Sequence, residues 1–463
     1  MDLLLTHAYH LREDAAERRV MRPYPPLGIL HLSAYLKRAG CELRVFDATF
    51  ARPRDFSDLL RRTAPRVVGI SVNLMTRRRA VTMLRECRSR RCITVVGGPD
   101  VFCSEAEYLQ SGADVCVLGE GEETITELLP HLLRHGPEGL EHIRGIAYRG
   151  AEGRVLHTPP RDRIRDLDSL PLPDREAVDI PRYLRSWREH HGAGSVSLIT
   201  ARGCPFECAW CSRGVFGETH RRRSPAAVAD EVEGILKAYR PDMLWFADDV
   251  FTIHHGWIRS FHEETGRRGL RVPFECISRA DRLDGDILKT LAAMGAKRIW
   301  YGSESGSQRI LDAMHRGVRA DRIRSVTKQA RELGIQTGLF VMLGYTGETM
   351  RDIDETVAHL VEAAPDAFLT TLAYPIRGTP FHREVADRLH QAGSWGRTSD
   401  RRTGFAGRHS RLFYWFAARF LTNEVACRKL RAQPTAGFLA AAGPFLKARA
   451  ARLGMQLTRH VQS

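Results

Sequence analysis

Short apolar runs alternate with helical patterns in two separate stretches of this chain, and this alternation constrains its fold most strongly. In the first stretch, strands are predicted at Leu3–Thr6, Glu42–Asp47, Val67–Val72, Ile93–Gly97 and Val115–Leu118. Most of these runs are rich in Val and Ile, as in strands buried on both faces of a parallel sheet. Helical patterns fall between them, so residues 1–135 are predicted to form a doubly wound (Rossmann-like) α/β domain.

A second alternation begins at Ser195, after a predicted hairpin and proline-rich connector over residues 136–194. Six more strands are predicted, at Val196–Thr200, Met243–Ala247, Phe274–Ser278, Arg298–Gly302, Thr337–Leu343 and Ala367–Ala373. Six strand–helix units predict a partial (β/α)6 barrel over residues 195–392, a fold in which chemistry sits at the carboxyl ends of the strands. Residues 393–463 are predicted to form a basic helical C-terminal region.

Three cysteines directly follow the first strand of the predicted barrel. Cys204, Cys208 and Cys211 form a C-x3-C-x2-C pattern. A disulfide would leave one sulfur over, and a structural zinc site needs four protein ligands, commonly two separated pairs. Three thiolates suit a 4Fe–4S cluster and leave one iron open to bind and activate a substrate. The loop therefore indicates chemistry rather than structure alone.

The cysteine loop, with Trp210 before its last cysteine, resembles the signature of radical S-adenosylmethionine (SAM) enzymes. The upstream domain resembles the cobalamin-binding domain of one large subclass, and together the resemblances cover about residues 1–390. They imply that Cys204, Cys208 and Cys211 hold a 4Fe–4S cluster whose open iron binds SAM. Reductive cleavage of SAM would then give a 5′-deoxyadenosyl radical.

The same resemblance implies SAM-facing roles for residues at the later strand ends. Asp248 or Asp249 would receive the methionine amino group, and Arg279 would pair with the methionine carboxylate. Glu304 would accept hydrogen bonds from the ribose hydroxyls. The complete SAM-binding set expected from the resemblance is Trp210, Asp248, Asp249, Ser278, Arg279, Glu304 and Gly344.

Each of these assignments has a structural alternative. The aspartates could cap a helix, Arg279 could form a salt bridge with Asp281, and Trp210 could serve loop packing. The turn at Gly344 resembles the adenine-side turn of the family, but Thr346 stands where the commoner form has Pro.

Three strand-end loops of the first domain carry the predicted cobalamin contacts. Glycines allow a flat corrin or its nucleotide tail to approach the backbone. The residues are Ser71, Gly97, Gly98, Gly119, Glu120 and Gly121. A dinucleotide site is disfavoured because the third glycine is missing and Glu120 would repel a pyrophosphate. In the family, the D-x-H-x-x-G element supplies a histidine below the cobalt, and this chain lacks that element. If cobalamin binds, its lower face would therefore have no such histidine ligand. Alternatively, the domain has kept the fold and lost the cofactor.

Together these features predict a cobalamin-dependent radical enzyme that methylates an unactivated carbon of a small molecule or natural product. The resemblance implies delivery from methylcobalamin, with two SAM molecules consumed. The alternatives are a radical oxidative cyclase resembling the anaerobic magnesium-protoporphyrin ester cyclase, and a non-catalytic sensor that binds the cluster or cobalamin. Methylthiolation is disfavoured because Cys41, Cys87 and Cys103 do not form the second cluster motif of that group.

The positive charge is concentrated near the C-terminus. The net charge is +15, and from Trp395 onward thirteen Lys or Arg face two acidic residues. Near-helical apolar spacing between Leu412 and Val425 predicts a helix that packs on the barrel, lies on a membrane surface or covers the substrate. Ten cysteines without an export signal predict a reducing cytoplasm. The expected partners are a small-molecule substrate and an electron donor such as flavodoxin or ferredoxin, and no nucleic acid.

Overall fold

The computed structural model describes residues 1–390, 394–397, 399–432 and 438–460. They form two compact units. Unit 1 comprises Met1–Pro205, Ser212–Ala247 and a short segment around Trp395, and unit 2 comprises Phe206–Cys211 and most of the chain after Asp248. Strands alternate with helices in both units.

Unit 1 is centred on a seven-stranded sheet in the order β2-β1-β3-β4-β5-β6-β7. Its strands are β1 (Leu3–His7), β2 (Leu43–Phe46), β3 (Val67–Ser71), β4 (Ile93–Gly97), β5 (Val115–Val117), β6 (Ile146–Arg149) and β7 (Val155–His157). The first five are parallel. The predicted hairpin forms as β6 and β7, and it extends the sheet because β6 pairs antiparallel with β5.

Helices cover both faces of this sheet. They are α1 (Ala15–Val20), α2 (Leu27–Arg38), α3 (Pro53–Thr63), α4 (Arg77–Ser89), α5 (Glu105–Gln110) and α6 (Glu122–His135). Successive side chains of a strand point to opposite faces, so Leu4 packs with Phe56 of α3 and Leu84 of α4. Its neighbour Leu3 belongs to a second core with Leu128 of α6. The central strands β3, β4 and β5 are mainly apolar because both of their faces are largely buried.

The rest of unit 1 carries the first part of the second alternation. Its elements are α7 (Ile180–His191), β8 (Ser195–Leu198), β9 (Ala201–Arg202), β10 (Arg221–Arg222), α8 (Pro225–Tyr239) and β11 (Met243–Phe246). β8 and β11 are parallel, whereas β9 and β10 form a short antiparallel pair. The cysteine loop begins directly after β9.

Unit 2 contains four parallel strands in the order β15-β14-β13-β12. They are β12 (Phe274–Ser278), β13 (Ala296–Glu304), β14 (Gln336–Leu343) and β15 (Ala367–Leu372). The helices are α9 (His255–Arg267), α10 (Gly285–Met294), α11 (Gln308–Ala313), α12 (Ala320–Glu332), α13 (Met350–Ala363), α14 (Pro380–Val385), α15 (Arg411–Arg431) and α16 (Phe438–Thr458). The parallel strands place their carboxyl ends on one edge, which gathers the residues that follow them.

The predicted α/β class is confirmed, with a doubly wound first sheet, a second strand–helix alternation and a helical C-terminal region. Each of the eleven strands predicted for the two alternations forms, and β13 is longer at both ends than predicted. Within the described ranges, every helix is too short or too polar to cross a membrane.

Candidate functional site

The cysteine loop starts at a position that accepts only glycine. Gly203 has a φ of +86°, and a Cβ atom there would lie 1.9 Å from the carbonyl oxygen of Thr219. The next residue, Cys204, donates its amide to the carbonyl of Gly217 at 3.4 Å. Glycine therefore lets the chain pass close to the returning strand and turn into the loop.

The second cysteine of the triplet lies beside two arginines of unit 2. Cys208 is buried, and its Sγ accepts from Nη1 of Arg279 at 3.5 Å and from Nη1 of Arg316 at 3.6 Å. Both guanidinium groups are themselves buried. Adjacent cations favour the thiolate form of a cysteine, which is the form that binds metals. Cys211 is exposed and donates its amide to the carbonyl of Cys208 at 3.1 Å.

The donor set of this loop fits an iron–sulfur cluster. Nε of Arg316 is buried without a hydrogen-bond partner in the described part of the chain, which leaves donor capacity beside Cys208 for an acceptor. Each thiolate of a cubane cluster binds a different iron, so the three sulfurs need not converge on one point. Within the described residues, no group of three His, Cys, Asp or Glu could hold a single metal ion.

Arg279 is engaged by several protein partners. Its Nε donates to Asp281 at 2.9 Å, its Nη2 donates to the carbonyl of Arg316 at 2.8 Å, and its guanidinium lies 3.6 Å from the centre of the Phe206 ring. The alternative of a salt bridge to Asp281 is therefore present, together with the contact to Cys208. Arg316 was not predicted, because a single arginine in the turn after α11 belongs to no local motif.

Glu304 ends β13 in a conformation that is rare for a non-glycine residue. Its φ is +56°, and the register of β13 against β14 shifts at this point. Such a bulge re-aims a side chain, and the Glu304 carboxylate turns back so far that a Cβ on Gly302 would lie 2.1 Å from its Oε1. Burial raises the pKa of Glu304 to about 7, although the charges of Arg316 and Arg279 lower it.

The turn after β14 holds a second buried carboxyl group. Gly344, with a φ of +78°, donates its amide to Oε2 of Glu348 at 2.6 Å. Burial raises the pKa of Glu348 to about 8. Within the described residues, Oε1 of Glu348 and Oγ1 of Thr346 are buried without a hydrogen-bond partner. The predicted adenine-side turn thus offers polar atoms that the protein itself does not satisfy.

The other predicted SAM contacts lie in differing environments. Asp248 is buried and Asp249 exposed, directly after β11. The hydroxyl of Ser278 is paired with that of Thr252. Trp210 is half-buried against an apolar cluster that includes Tyr345, which is the loop-packing alternative. No observation here assigns these residues to SAM, so their predicted roles stay predictions.

The predicted cobalamin loops follow β3, β4 and β5 and therefore lie on one edge of the unit 1 sheet. Gly98 and Gly119 have φ values of +110° and +82°. A Cβ on Gly98 would lie 2.5 Å from the carbonyl oxygen of Val72, so glycine is required there by the protein backbone itself. Ser71 and Gly97 end their strands, and Gly121 precedes α6. Small residues thus stand at this edge, as an approach of cobalamin to the backbone would require, and their individual cobalamin contacts stay predictions.

Glu120 has a different environment from the one predicted. Its Oε1 accepts from Arg202 at 2.8 Å, and its Oε2 accepts from Arg221 at 2.6 Å and from the amide of Ile164 at 3.1 Å. Arg202 also donates to Glu122 at 2.5 Å. Both carboxylate oxygens therefore bind protein groups, and the cluster ties the loop after β5 to the residue two positions before Cys204.

Comparisons with known proteins agree with these features. A model of the Radical SAM superfamily matches residues 198–360, and a model of the B12 binding domain matches residues 18–129. A protein of Pyrococcus horikoshii described only as an uncharacterized methyltransferase is 27% identical over 83% of each chain. The anaerobic magnesium-protoporphyrin IX monomethyl ester cyclase of Rubrivivax gelatinosus is 26% identical over 79% of this chain and 67% of its own.

One solved structure shows the same fold. The radical SAM methyltransferase TsrM from Kitasatospora setae, with cobalamin and a [4Fe-4S] cluster bound, aligns with a TM-score of 0.69 at 20% identity. The alignment covers 85% of this chain and 78% of TsrM.

Proposed function

We propose that this chain, a radical SAM enzyme with a cobalamin-binding domain, transfers a methyl group to an unactivated carbon of a small-molecule substrate. The observation that carries the proposal is that Cys208 lies between two buried arginines in unit 2, while glycine-rich loops follow three parallel strands in unit 1. Among the relatives, the methyltransferases of Pyrococcus and Kitasatospora align with 83% and 85% of this chain. When bound, the cluster and SAM supply an electron and a radical, and cobalamin supplies a transferable methyl group.

Each residue of the site has a proposed task in holding these groups. Cys204, Cys208 and Cys211 would hold the cluster, and Arg279 and Arg316 would donate hydrogen bonds to the Sγ atom of Cys208. The two arginines would therefore orient a cluster ligand rather than contact the substrate.

The acidic residues and loops have positioning tasks. Glu304 would accept from hydroxyl groups of SAM in its ionised form, and the turn from Gly344 to Glu348 would face the adenine. Asp248 or Asp249 would receive the amino group, since a carboxylate suits an ammonium. Ser71, Gly97, Gly98, Gly119 and Gly121 would leave room for the cobalamin.

Anaerobic purification with cluster reconstitution tests the proposal. We expect bound iron, cobalamin absorbance, and formation of 5′-deoxyadenosine, S-adenosylhomocysteine and a product heavier by one CH2. Cys208→Ala should abolish 5′-deoxyadenosine formation, whereas Cys427→Ala, which removes another buried thiol, should not. Turnover that gives 5′-deoxyadenosine without S-adenosylhomocysteine or a methylated product would refute methylation while leaving the radical chemistry intact.

A radical oxidative cyclase is the second candidate, and the likeness to the Rubrivivax cyclase over 79% of the chain favours it. The mass of the product separates the two reactions, because ring closure or oxygen insertion does not add CH2. A reconstituted cluster whose spectrum does not respond to SAM would instead favour a non-catalytic sensor.

Three expectations about the surroundings belong to the same proposal. The cluster needs an electron, so an electron donor such as flavodoxin or ferredoxin would serve as partner. A cytoplasmic location keeps the thiols reduced. Peripheral contact with a membrane is expected from the cationic C-terminal region, in which seven Lys or Arg and no acidic residue follow Glu424.

A further inference from the structure

Helix α16 is apolar on two opposite faces. One face packs on α15 and consists of the buried residues Ala441, Ala448, Ala451 and Met455. The opposite face carries a second row at spacings of four, three and four residues, which is one stripe of an α-helix. These outward residues, here named the α16 stripe, are Leu446, Ala450, Leu453 and Leu457.

The α16 stripe is strongly exposed. Leu446, Leu453 and Leu457 have 65%, 55% and 73% of their surface accessible to solvent, and they are among the most exposed large apolar side chains described. Single exposed leucines need no explanation, but a continuous row of them on one helix face is typical of an interaction surface.

The helix that carries the stripe is firmly attached to unit 2. Arg452 donates to both oxygens of Asp354 in α13, at 2.6 and 2.8 Å, and its guanidinium lies 5.0 Å from the centre of the Phe420 ring in α15. Gly454 lies so close to Phe416 that a Cβ would come within 2.5 Å of the ring. These contacts of the inward face fix the rotation of α16 about its axis, so the α16 stripe is held facing outward.

Cations flank the α16 stripe on both sides. Helical geometry places the exposed Lys447 on one margin and the exposed Arg449 on the other. The guanidinium of Arg449 lies 4.9 Å from the centre of the Phe445 ring, and neither flanking side chain has an acidic partner in the described residues. An apolar stripe between cations complements a surface that has an apolar interior beneath an anionic outer layer. The like charges disfavour pairing of two copies through this face.

We propose that the α16 stripe docks on an anionic membrane surface, with the leucines in the acyl boundary and Lys447 and Arg449 among the lipid headgroups. Helices with this division of charge lie in the plane of the interface. The surface differs from the one expected from the sequence, because Phe413, Phe420, Leu421 and Val425 of α15 are buried in unit 2. The proposal does not depend on the reaction that the enzyme catalyses.

Vesicle sedimentation of the full-length reconstituted protein tests the proposal. We expect binding to vesicles of equal parts phosphatidylcholine and phosphatidylglycerol, and weak binding to phosphatidylcholine alone. Each cation near the surface contributes about fivefold in affinity, so salt should weaken the binding. The double variant L453D/L457D should lose at least about tenfold in affinity, because it removes two apolar side chains from the stripe.

The matched control is L156D/L172D, which places the same two charges at exposed leucines of unit 1. It should bind vesicles as the wild type does, and both double variants should form 5′-deoxyadenosine at the wild-type rate without vesicles. Equal binding to both kinds of vesicle, or none to either, would overturn the proposal. A dimer in sedimentation velocity that L453D/L457D dissociates and L156D/L172D does not would also overturn the proposal, because the partner of the stripe would then be a second copy of the chain.

Discussion

The buried ion cluster beneath the cysteine loop gives the sharpest prediction of stability. Glu120, Glu122, Arg202 and Arg221 have side chains that are 5%, 6%, 7% and 11% exposed. Burial lowers the pKa of Arg202, but the two carboxylates, Glu122 foremost, raise it above its usual value. Arg202 therefore stays charged, and removal of a carboxylate partner leaves this buried charge poorly compensated.

Glu120→Gln removes one of two negative charges from this cluster. Arg221 would keep only carbonyl acceptors, those of Ile164 at 2.6 Å and Phe216 at 3.3 Å, and Arg202 would keep Glu122. Loss of one partner from a buried ion pair costs about 3–5 kcal/mol. Because glutamine still accepts one hydrogen bond, we expect the lower end, about 3 kcal/mol.

Hydrogen exchange followed by mass spectrometry measures the loss of stability in the region around the ion cluster. A local measurement is needed because a chain of two units need not unfold in one step. A loss of about 3 kcal/mol lowers protection about a hundredfold for amides that exchange through opening of this region. We expect the change in peptides covering β5, α6 and residues 199–204.

The control is Glu123→Gln, three residues further along the chain in the first turn of α6. Glu123 is 44% exposed and faces Arg161 at 3.6 Å, so its loss should cost less than about 1 kcal/mol. Equal protection in the two variants would refute the assignment of Glu120 to a buried, structurally required ion cluster. It would also restore Glu120 as a candidate cofactor contact.

Two further predictions follow from backbone and burial. Gly203→Ala should lower the iron content after reconstitution, because the new Cβ would lie 1.9 Å from the carbonyl oxygen of Thr219. The control Gly192→Ala should keep the wild-type iron content, because Gly192 has a similar φ but nothing within 4 Å of its Cβ position. Equal iron content in the two variants would contradict the steric argument. The pKa of Glu348 is about 8 when folded, against an ordinary value of 4.5, so the folded state keeps a proton that the unfolded state loses. Stability should fall by on the order of 4 kcal/mol as the pH rises from about 4.5 to 8, and Glu348→Gln should flatten that part of a thermal-midpoint profile; an unchanged profile would contradict it.

The strands could be predicted from the sequence because burial on both faces makes them continuous apolar runs. Helix α7 is absent from the prediction because Pro181 stands in a proline-rich stretch that is typical of a connector. Proline is tolerated in the first turn of a helix, and Pro181 lies there in α7. The buried residues Ile180, Tyr183, Leu184 and Trp187 have helical spacing, a signal that would have identified the helix.

The cysteine part of the candidate site was the most direct to predict because its residues share one loop. The cysteine spacing predicts three metal ligands, since one short segment contains them all. Glu120 shows the opposite case: the glycines beside it indicate an open loop, but they do not reveal that Arg202 and Arg221 lie opposite. Those arginines are 82 and 101 residues away in sequence, so only the fold brings the charges together.

Charge balance explains why distant residues belong to the cysteine motif. Arg279 has Asp281 as its acidic partner at 2.9 Å, while Arg316 has Glu304 at 3.9 Å. Because the pKa of Glu304 is raised to about 7 by burial, this carboxyl group compensates Arg316 only in part at neutral pH. A neutral disulfide at the loop would leave the excess positive charge buried, which is costly. The geometry thus places two buried cations beside Cys208, and the predicted cluster, as a bound anionic group, would balance their charge.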